Sequence, residues 1–150
     1  MATIVTRSGK GSALTFTEGD ANFTNLNNDK LETSGGTITG YKETVYTGGA
    51  TTGTITPDVA NGNVQSITLT GNITFNSFAN ASAGQSLTLI VNQPTGSTYT
   101  LTSTTIKWAG GDATLSEVAA ATDIISVFYD GTNYYASLAK GFAEPETGGA

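Results

Sequence analysis

The stretch "DIISVFYDGTNYYASLAK", residues 123–140, decides the fold. Its first flank places Ile125, Val127 and Tyr129 on one face of a strand, because successive strand side chains point to opposite faces. Its centre, Asp130-Gly131-Thr132-Asn133, is a four-residue turn of residue types that tolerate left-handed backbone. The pattern predicts a β-hairpin. In a regular second strand Tyr134 and Tyr135 face opposite ways, so one belongs to a core or subunit interface and the other to the surface.

The same signals recur upstream. "VQSITLT" (Val64–Thr70) sets Ile67 and Leu69 on one face, and Gly71-Asn72 then reads equally as a hairpin turn or a bulge before Ile73 and Phe75. "QSLTLIVNQ" (Gln85–Gln93) reads as a buried strand stopped by Pro94. "STYTLTST" (Ser97–Thr104) alternates Tyr99 with Leu101, and "IKWAGG" (Ile106–Gly111) carries the only tryptophan, Trp108. "DATLSEVAAATD" (Asp112–Asp123) reads as a loop. Short strands with turn signals between them predict an all-β domain over residues 52–142, a β-sandwich of jelly-roll type. The Gly/Thr-rich residues 34–51 read as a linker carrying a strand near Tyr41–Tyr46, and residues 143–150 as a flexible tail.

Composition agrees with short strands and tight turns. There are 28 Thr and 19 Gly; Thr is β-branched and favours strands, and Gly favours turns. Leu, Ile, Val and Phe make up 31 of 150 residues, a thin core, while 12% of residues are charged and the net charge is −6. A thin core without high charge fits a folded chain that buries part of its apolar surface between subunits. A pI of about 4.3, with five Lys and one Arg scattered along the chain, excludes a phosphate-binding patch and hence nucleic acid. Cysteine is absent, which excludes a disulfide framework. "MATIVTRSGKG" lacks the apolar run of a signal peptide, and runs such as "LIV" at 89–91 are far too short to insert in a membrane, so a soluble protein is expected.

The front of the chain reads differently. Within residues 1–33, a polar arm precedes "LTFTEGDANFTNLN" (Leu14–Asn27). Thr17 as N-cap with Asp20 three residues later approximates a capping box, and Phe16 would staple onto Ala21. Phe23, Leu26 and Leu31 form a weak helical stripe among Asn22, Asn25, Asn27 and Asn28, which are poor helix formers. So short and weak a helix needs a surface to dock on.

Candidate chemistry is sparse. With no His there is no Ser-His triad and no common general base; with neither His nor Cys only oxygen ligands remain for a metal. Asp112, Glu117, Asp123 and Asp130 are the carboxylates that could pair for glycoside hydrolysis, but Asp112 follows two glycines and Asp130 opens a turn. "GGATTG" (Gly48–Gly53) lacks the lysine and following helix of a phosphate loop. The expectation is a non-enzyme without cofactor or metal. Tyr99, Trp108, Tyr134 and Tyr135 are the aromatics suited to stack on a sugar or anchor an interface, although Trp108 beside its glycine pair reads first as core filling.

Two stretches resemble one family. "KGSALTFTEGDANFTNLNND" (Lys10–Asp29) is similar to a leader of bacteriophage tail-fibre and related virion proteins, through Leu14, Thr15, Asp20, Ala21, Asn22, Phe23, Asn25, Leu26 and Asn27. "TPDVANGNVQSITLTGNITFNSF", "AGQSLTLIVNQ", "IKWAGGDATLS" and "DIISVFYDGTNYYASLAKGF", within Thr44–Phe142, resemble in order and spacing a β-module of the same proteins. The resemblance implies a virion structural protein assembled in the host cytoplasm and homotrimeric like phage fibres. It implies docking on another virion component, in tail, baseplate or capsid, by Leu14, Phe16, Asp20, Asn22, Phe23 and Leu26. Only residues 30–43 separate leader from module where a long fibre has a shaft, which implies a short appendage. A tail fibre or tail-tip protein and a capsid decoration or head-fibre protein both remain open, as does a module that binds host surface glycans.

Overall fold

The computed structural model describes residues 4–29 and 38–142. Leu31, residues 34–37 of the expected linker and the expected tail at 143–150 lie outside the described residues. The chain divides into two compact units, Met1–Tyr41 and Lys42–Ala150.

The N-terminal unit holds two helices, α1 (Arg7–Lys10) and α2 (Phe16–Asp29). Thr6 caps α1 by accepting from the Gly9 N–H, and Gly11 ends it in the left-handed conformation, φ 72°. The capping box of α2 sits two residues earlier than the sequence reading placed it. The Thr15 hydroxyl accepts from the Glu18 N–H at 3.2 Å, and the Thr15 N–H donates to Glu18 Oε2 at 2.8 Å. Phe16 is therefore the first helical residue and stands 94% exposed, with no staple onto Ala21.

The second unit is one mixed sheet of seven strands: β1 (Tyr46–Ile55), β2 (Val64–Phe75), β3 (Gln85–Asn92), β4 (Leu101–Thr102), β5 (Lys107–Trp108), β6 (Thr122–Tyr129) and β7 (Tyr134–Phe142). Their order is β1-β2-β3-β6-β7-β5, with β4 beside the second half of β2. The sandwich of jelly-roll type is corrected here. β1, β2 and β3 are successive and parallel, so each connection must carry the chain back to the starting edge, as in the coils of a solenoid. The connections stack as well. Ala79 donates to the Pro57 carbonyl at 2.8 Å, Val59 to the Ala79 carbonyl at 3.3 Å, and Asn80 Nδ2 to Asp58 Oδ1 at 2.7 Å. A polar ladder, Glu43–Asn63–Gln85, runs across neighbouring coils. Among the described strands, β3, β6 and β7 pair antiparallel.

The strand expected near Tyr41–Tyr46 begins instead at Tyr46 and continues through the supposed linker. Gly49 and Gly53, at φ 74° and 75°, stand where the β1–β2 register shifts. The ambiguous Gly71-Asn72 is a bulge inside β2, since Thr51 pairs with Leu69 and Gly53 with Ile73. Glycine is required at 71: a Cβ there would stand 2.2 Å from the Thr52 hydroxyl and 3.0 Å from its Cβ.

The core lies along one face of the sheet. Leu69, Ile73 and Phe75 of β2, Leu87, Leu89 and Val91 of β3, and Ile125 and Val127 of β6 are almost fully buried. Each contributes roughly 1.5–3 kcal/mol relative to exposure. Val59, Phe78, Ile106 and Leu115 from the connections complete the cluster. The predicted hairpin is β6–β7, with Tyr129 opposite Tyr134. Asp130 Oδ1 accepts from the Thr132 and Asn133 N–H groups at 2.7 and 2.6 Å, and Gly131 takes φ 102°.

Candidate functional site

Three candidate surfaces stand out among the described residues, one on the N-terminal unit and two on the β unit. On the N-terminal unit, Phe16, Phe23 and Leu26 lie at i, i+7 and i+10 of α2, within one helical face. They are 94%, 76% and 56% exposed. Three polar residues of the leader, Thr15, Glu18 and Asn22, are engaged within the unit. Asn22 brackets the arm, accepting from the Val5 N–H and donating to the Val5 carbonyl, both at 2.9 Å. Glu18 binds Lys10 as well as Thr15, and these hydrogen bonds, with Lys10 first, hold its carboxyl below its ordinary value. Of the six residues expected to attach, Asn22 is thus partly internal; Leu14 and Asp20 are exposed with the apolar stripe.

On the β unit a cleft of about 460 Å³ opens between the segment 98–101 and the loop 114–117. It is lined by Thr98, Tyr99, Thr100, Leu101, Thr114, Leu115 and Glu117. Neither wall is regular structure for most of its length, so buried polar side chains fix both. Gln93, 4% exposed, donates to the Tyr99 carbonyl at 2.8 Å and the Ser116 carbonyl at 3.0 Å, and accepts from the Tyr99 N–H at 2.9 Å. Asp123, fully buried, accepts from Ser116 N–H at 2.7 Å, Ser116 Oγ at 2.6 Å and Gly141 N–H at 2.8 Å. Ser116, next to Glu117, is held from both sides.

The remaining expected aromatics fall elsewhere. Tyr134 turns inward, stacked on Tyr129 at 4.5 Å and edge-on to Phe78 at 5.2 Å. Burial pushes its hydroxyl pKa up. Trp108 is half-buried against the core, and its indole N–H is buried without a hydrogen-bond partner. Tyr135 faces outward, opposite Phe128, with Lys107 Nζ 5.4 Å from its ring centre. These two rings, with Ser86, Thr88, Ser126 and Ser137, line a larger and more open depression of about 530 Å³ on the sheet face. Tyr99 is thus brought to a cleft, whereas Trp108, Tyr134 and Tyr135 do not share it.

The four candidate carboxylates separate. Asp123 is a buried staple and Asp130 a turn former, while Asp112 pairs with Lys140 at 3.0 Å. Hydrogen bonds from Thr114, then Lys140, lower the Asp112 pKa to about 2. Only Glu117 lines the cleft. Sequence reasoning missed Gln93, whose signal was a lone amide closing a buried strand before Pro94. Among the described residues no group of three or more His, Cys, Asp or Glu side chains could hold a metal, and no helix is long and apolar enough to cross a membrane.

A parallel coil followed by antiparallel strands, with a separately structured helical unit, defines a β-rich, solenoid-like chain. Residues 55–134 match the family described as "Putative phage tail fibre C-terminal domain". The match spans more than half of the 150 residues, and the chain belongs to this family of phage tail-fibre proteins. Membership carries a structural role in the phage tail fibre and association with other virion proteins. No curated protein and no solved structure matches the chain significantly.

Proposed function

We propose that the chain is a non-enzymatic, short tail-fibre appendage that docks on another virion protein through its N-terminal unit and leaves the β unit free to face the host surface. The observation that carries this reading is the exposed stripe Phe16, Phe23 and Leu26 on a helix already capped by its own residues. A helix whose N-terminus is capped by Thr15 and Glu18 and whose large apolar groups stand in solvent is suited to a helix-in-groove contact. The occupant is a second virion protein, because tail-fibre membership implies such a neighbour. Each side chain would contribute about 1.5–3 kcal/mol when fully buried there. Homotrimeric assembly accompanies the reading, supported by the thin core and the exposed edge strand β1. Capsid decoration is the alternative location.

The test is the double variant Phe23→Ala with Leu26→Ala, both at exposed positions. It should leave the β unit folded, as reported by Trp108 fluorescence, and abolish incorporation into particles. Full occupancy of particles by the double variant refutes attachment through this stripe, and a monodisperse monomer at micromolar concentration refutes the trimer.

A further inference from the structure

We infer that Asn61 is a site of spontaneous deamidation, and that its conversion to isoaspartate loosens the first strand of the coil. The inference goes beyond the attachment role and does not rest on it. Asn61-Gly62 is the one asparagine–glycine pair in the sequence. It closes a single 3₁₀ turn, Val59–Asn61, at the corner between β1 and β2. The Asn61 side chain is exposed and makes no hydrogen bond with any described residue. Asn76, Asn80 and Asn92, by contrast, hold hydrogen bonds and precede residues with side chains. Gly62 sits at φ 120°, and its N–H donates to the Val59 carbonyl at 3.1 Å. With no side chain at position 62, its nitrogen reaches the neighbouring amide carbon once that last bond of the turn opens.

The reaction needs water as its only co-reactant. The Gly62 nitrogen gives up its proton to solvent and bonds to Cγ of Asn61, while the Cγ–Nδ2 bond breaks and ammonia leaves. Water then opens the cyclic imide at either carbonyl, which gives aspartate or isoaspartate. The same ring could close at Asp130-Gly131, but that carboxylate is already engaged by the Thr132 and Asn133 N–H groups.

The product is felt because the backbone is pinned on both sides of Asn61. Before it, Asp58 Oδ1 accepts from the Ala60 N–H at 2.9 Å and from Asn80 Nδ2 at 2.7 Å, and Val59 donates to the Ala79 carbonyl at 3.3 Å. Across it, the buried Gln65 donates through Nε2 to the Asp58 carbonyl at 2.6 Å and to the Gly62 carbonyl at 2.9 Å. Isoaspartate runs the main chain through the former side chain and so adds one carbon between these pins. The bonds of Gly62 to Val59 and to Gln65 flank the insertion and are the ones to break. A buried amide that loses its acceptor is unfavourable. The new carboxylate also lines the cavity of about 290 Å³ that Asn61 shares with Asp58, where like charges meet. β1 is the element that responds, because it is an edge strand whose one buried residue is Ile55, next to this corner.

The experiment ages the full chain at mildly alkaline pH beside a synthetic peptide of the sequence Val59–Val64, followed by peptide mapping with isoaspartyl methylation and by amide hydrogen exchange. Deamidation of the chain should concentrate at Asn61, with isoaspartate as the main product. The isoaspartyl chain should lose protection about tenfold in β1 and residues 57–62, the loss of one net hydrogen bond, while β3 and β6 keep theirs. Asn61→Gln, at an exposed position, keeps the amide but requires a slower six-membered closure. It should melt as the wild type does and show neither change on ageing. An intact Asn61 in the folded chain when the peptide has reacted fully overturns the proposal. So does deamidation that leaves β1 protection unchanged, or an equal loss of β1 protection in aged Asn61→Gln. The assay uses no particles, so its failure leaves the attachment reading untouched.

Discussion

Asp123→Ala is the perturbation that most directly tests how the β unit is held together. The carboxylate is fully buried and accepts three hydrogen bonds of 2.6–2.8 Å, two from backbone N–H groups and one from a hydroxyl. It joins the loop at Ser116, seven residues away, and the end of β7 at Gly141 to the start of β6. Alanine removes every acceptor. The Ser116 hydroxyl can turn elsewhere, but its N–H stays part-buried without a partner, whereas the exposed Gly141 recovers a bond to water. Hydrogen bonds to a charged group contribute about 1.5–3 kcal/mol each and a stranded donor costs about 1–3 kcal/mol, so the substitution should cost about 2–4 kcal/mol. For a unit of this size that lowers the melting temperature by roughly 10–15 °C. Urea denaturation at neutral pH, followed by Trp108 fluorescence, measures it. Asp123→Asn should recover little, because the amide turns a donor toward the N–H donors that the carboxylate satisfied. A loss below about 1 kcal/mol for Asp123→Ala would show that the charge is solvated and pins nothing.

Two further outcomes follow from the same geometry. Gly71→Ala should destabilise the unit by about 1–3 kcal/mol, since the new Cβ meets Thr52 at the bulge, and Thr52→Ala in the same chain should restore part of the loss in a denaturation cycle. The depressed pKa of Asp112 makes its contribution fully present above its unfolded value near 3.8 and lost as pH falls through about 2. The difference in melting temperature between wild type and Asp112→Asn should therefore shrink from pH 4 to pH 2, and a constant or growing difference contradicts the assignment.

What the sequence disclosed was local. The β6–β7 hairpin was legible because Asp130 and Gly131 write the turn into adjacent residues. The parallel coil was not, because nothing within β1, β2 or β3 says which neighbour each strand takes; that information lies in stacked corners such as Asp58, Ala79 and Asn80. The glycines of β1 looked like a linker because glycine serves bulges and flexible chain alike. The capping box was misplaced by two residues because Thr15–Glu18 and Thr17–Asp20 share one spacing. Glu18 wins because its longer side chain reaches back to the cap N–H while also meeting Lys10. Tyr99 and Glu117 were each noticed alone, but eighteen positions apart they become one cleft only through Gln93, whose amide reads both walls.

The leader shows how one short segment divides its labour. Thr15, Glu18 and Asn22 turn toward neighbours in their own unit, closing the cap, the Lys10 pair and the bracket on Val5. Phe16, Phe23 and Leu26 turn to solvent. A helix of this composition, rich in asparagine, is marginal by propensity alone. The internal bonds offset that weakness without consuming any of the large apolar side chains. Had the stripe been needed for the helix's own stability, the rings would be buried within the unit and Asn22 would be free to face a partner. The reverse is observed, so substitutions at Asn22 should disturb the arm itself, while substitutions at Phe23 and Leu26 should spare it. Proteolysis of the isolated chain distinguishes them: Asn22→Ala should expose the bonds around residues 5–10 to cleavage, and Phe23→Ala with Leu26→Ala should not. Equal cleavage of both variants would mean that the stripe holds the unit together and that docking has to be sought elsewhere.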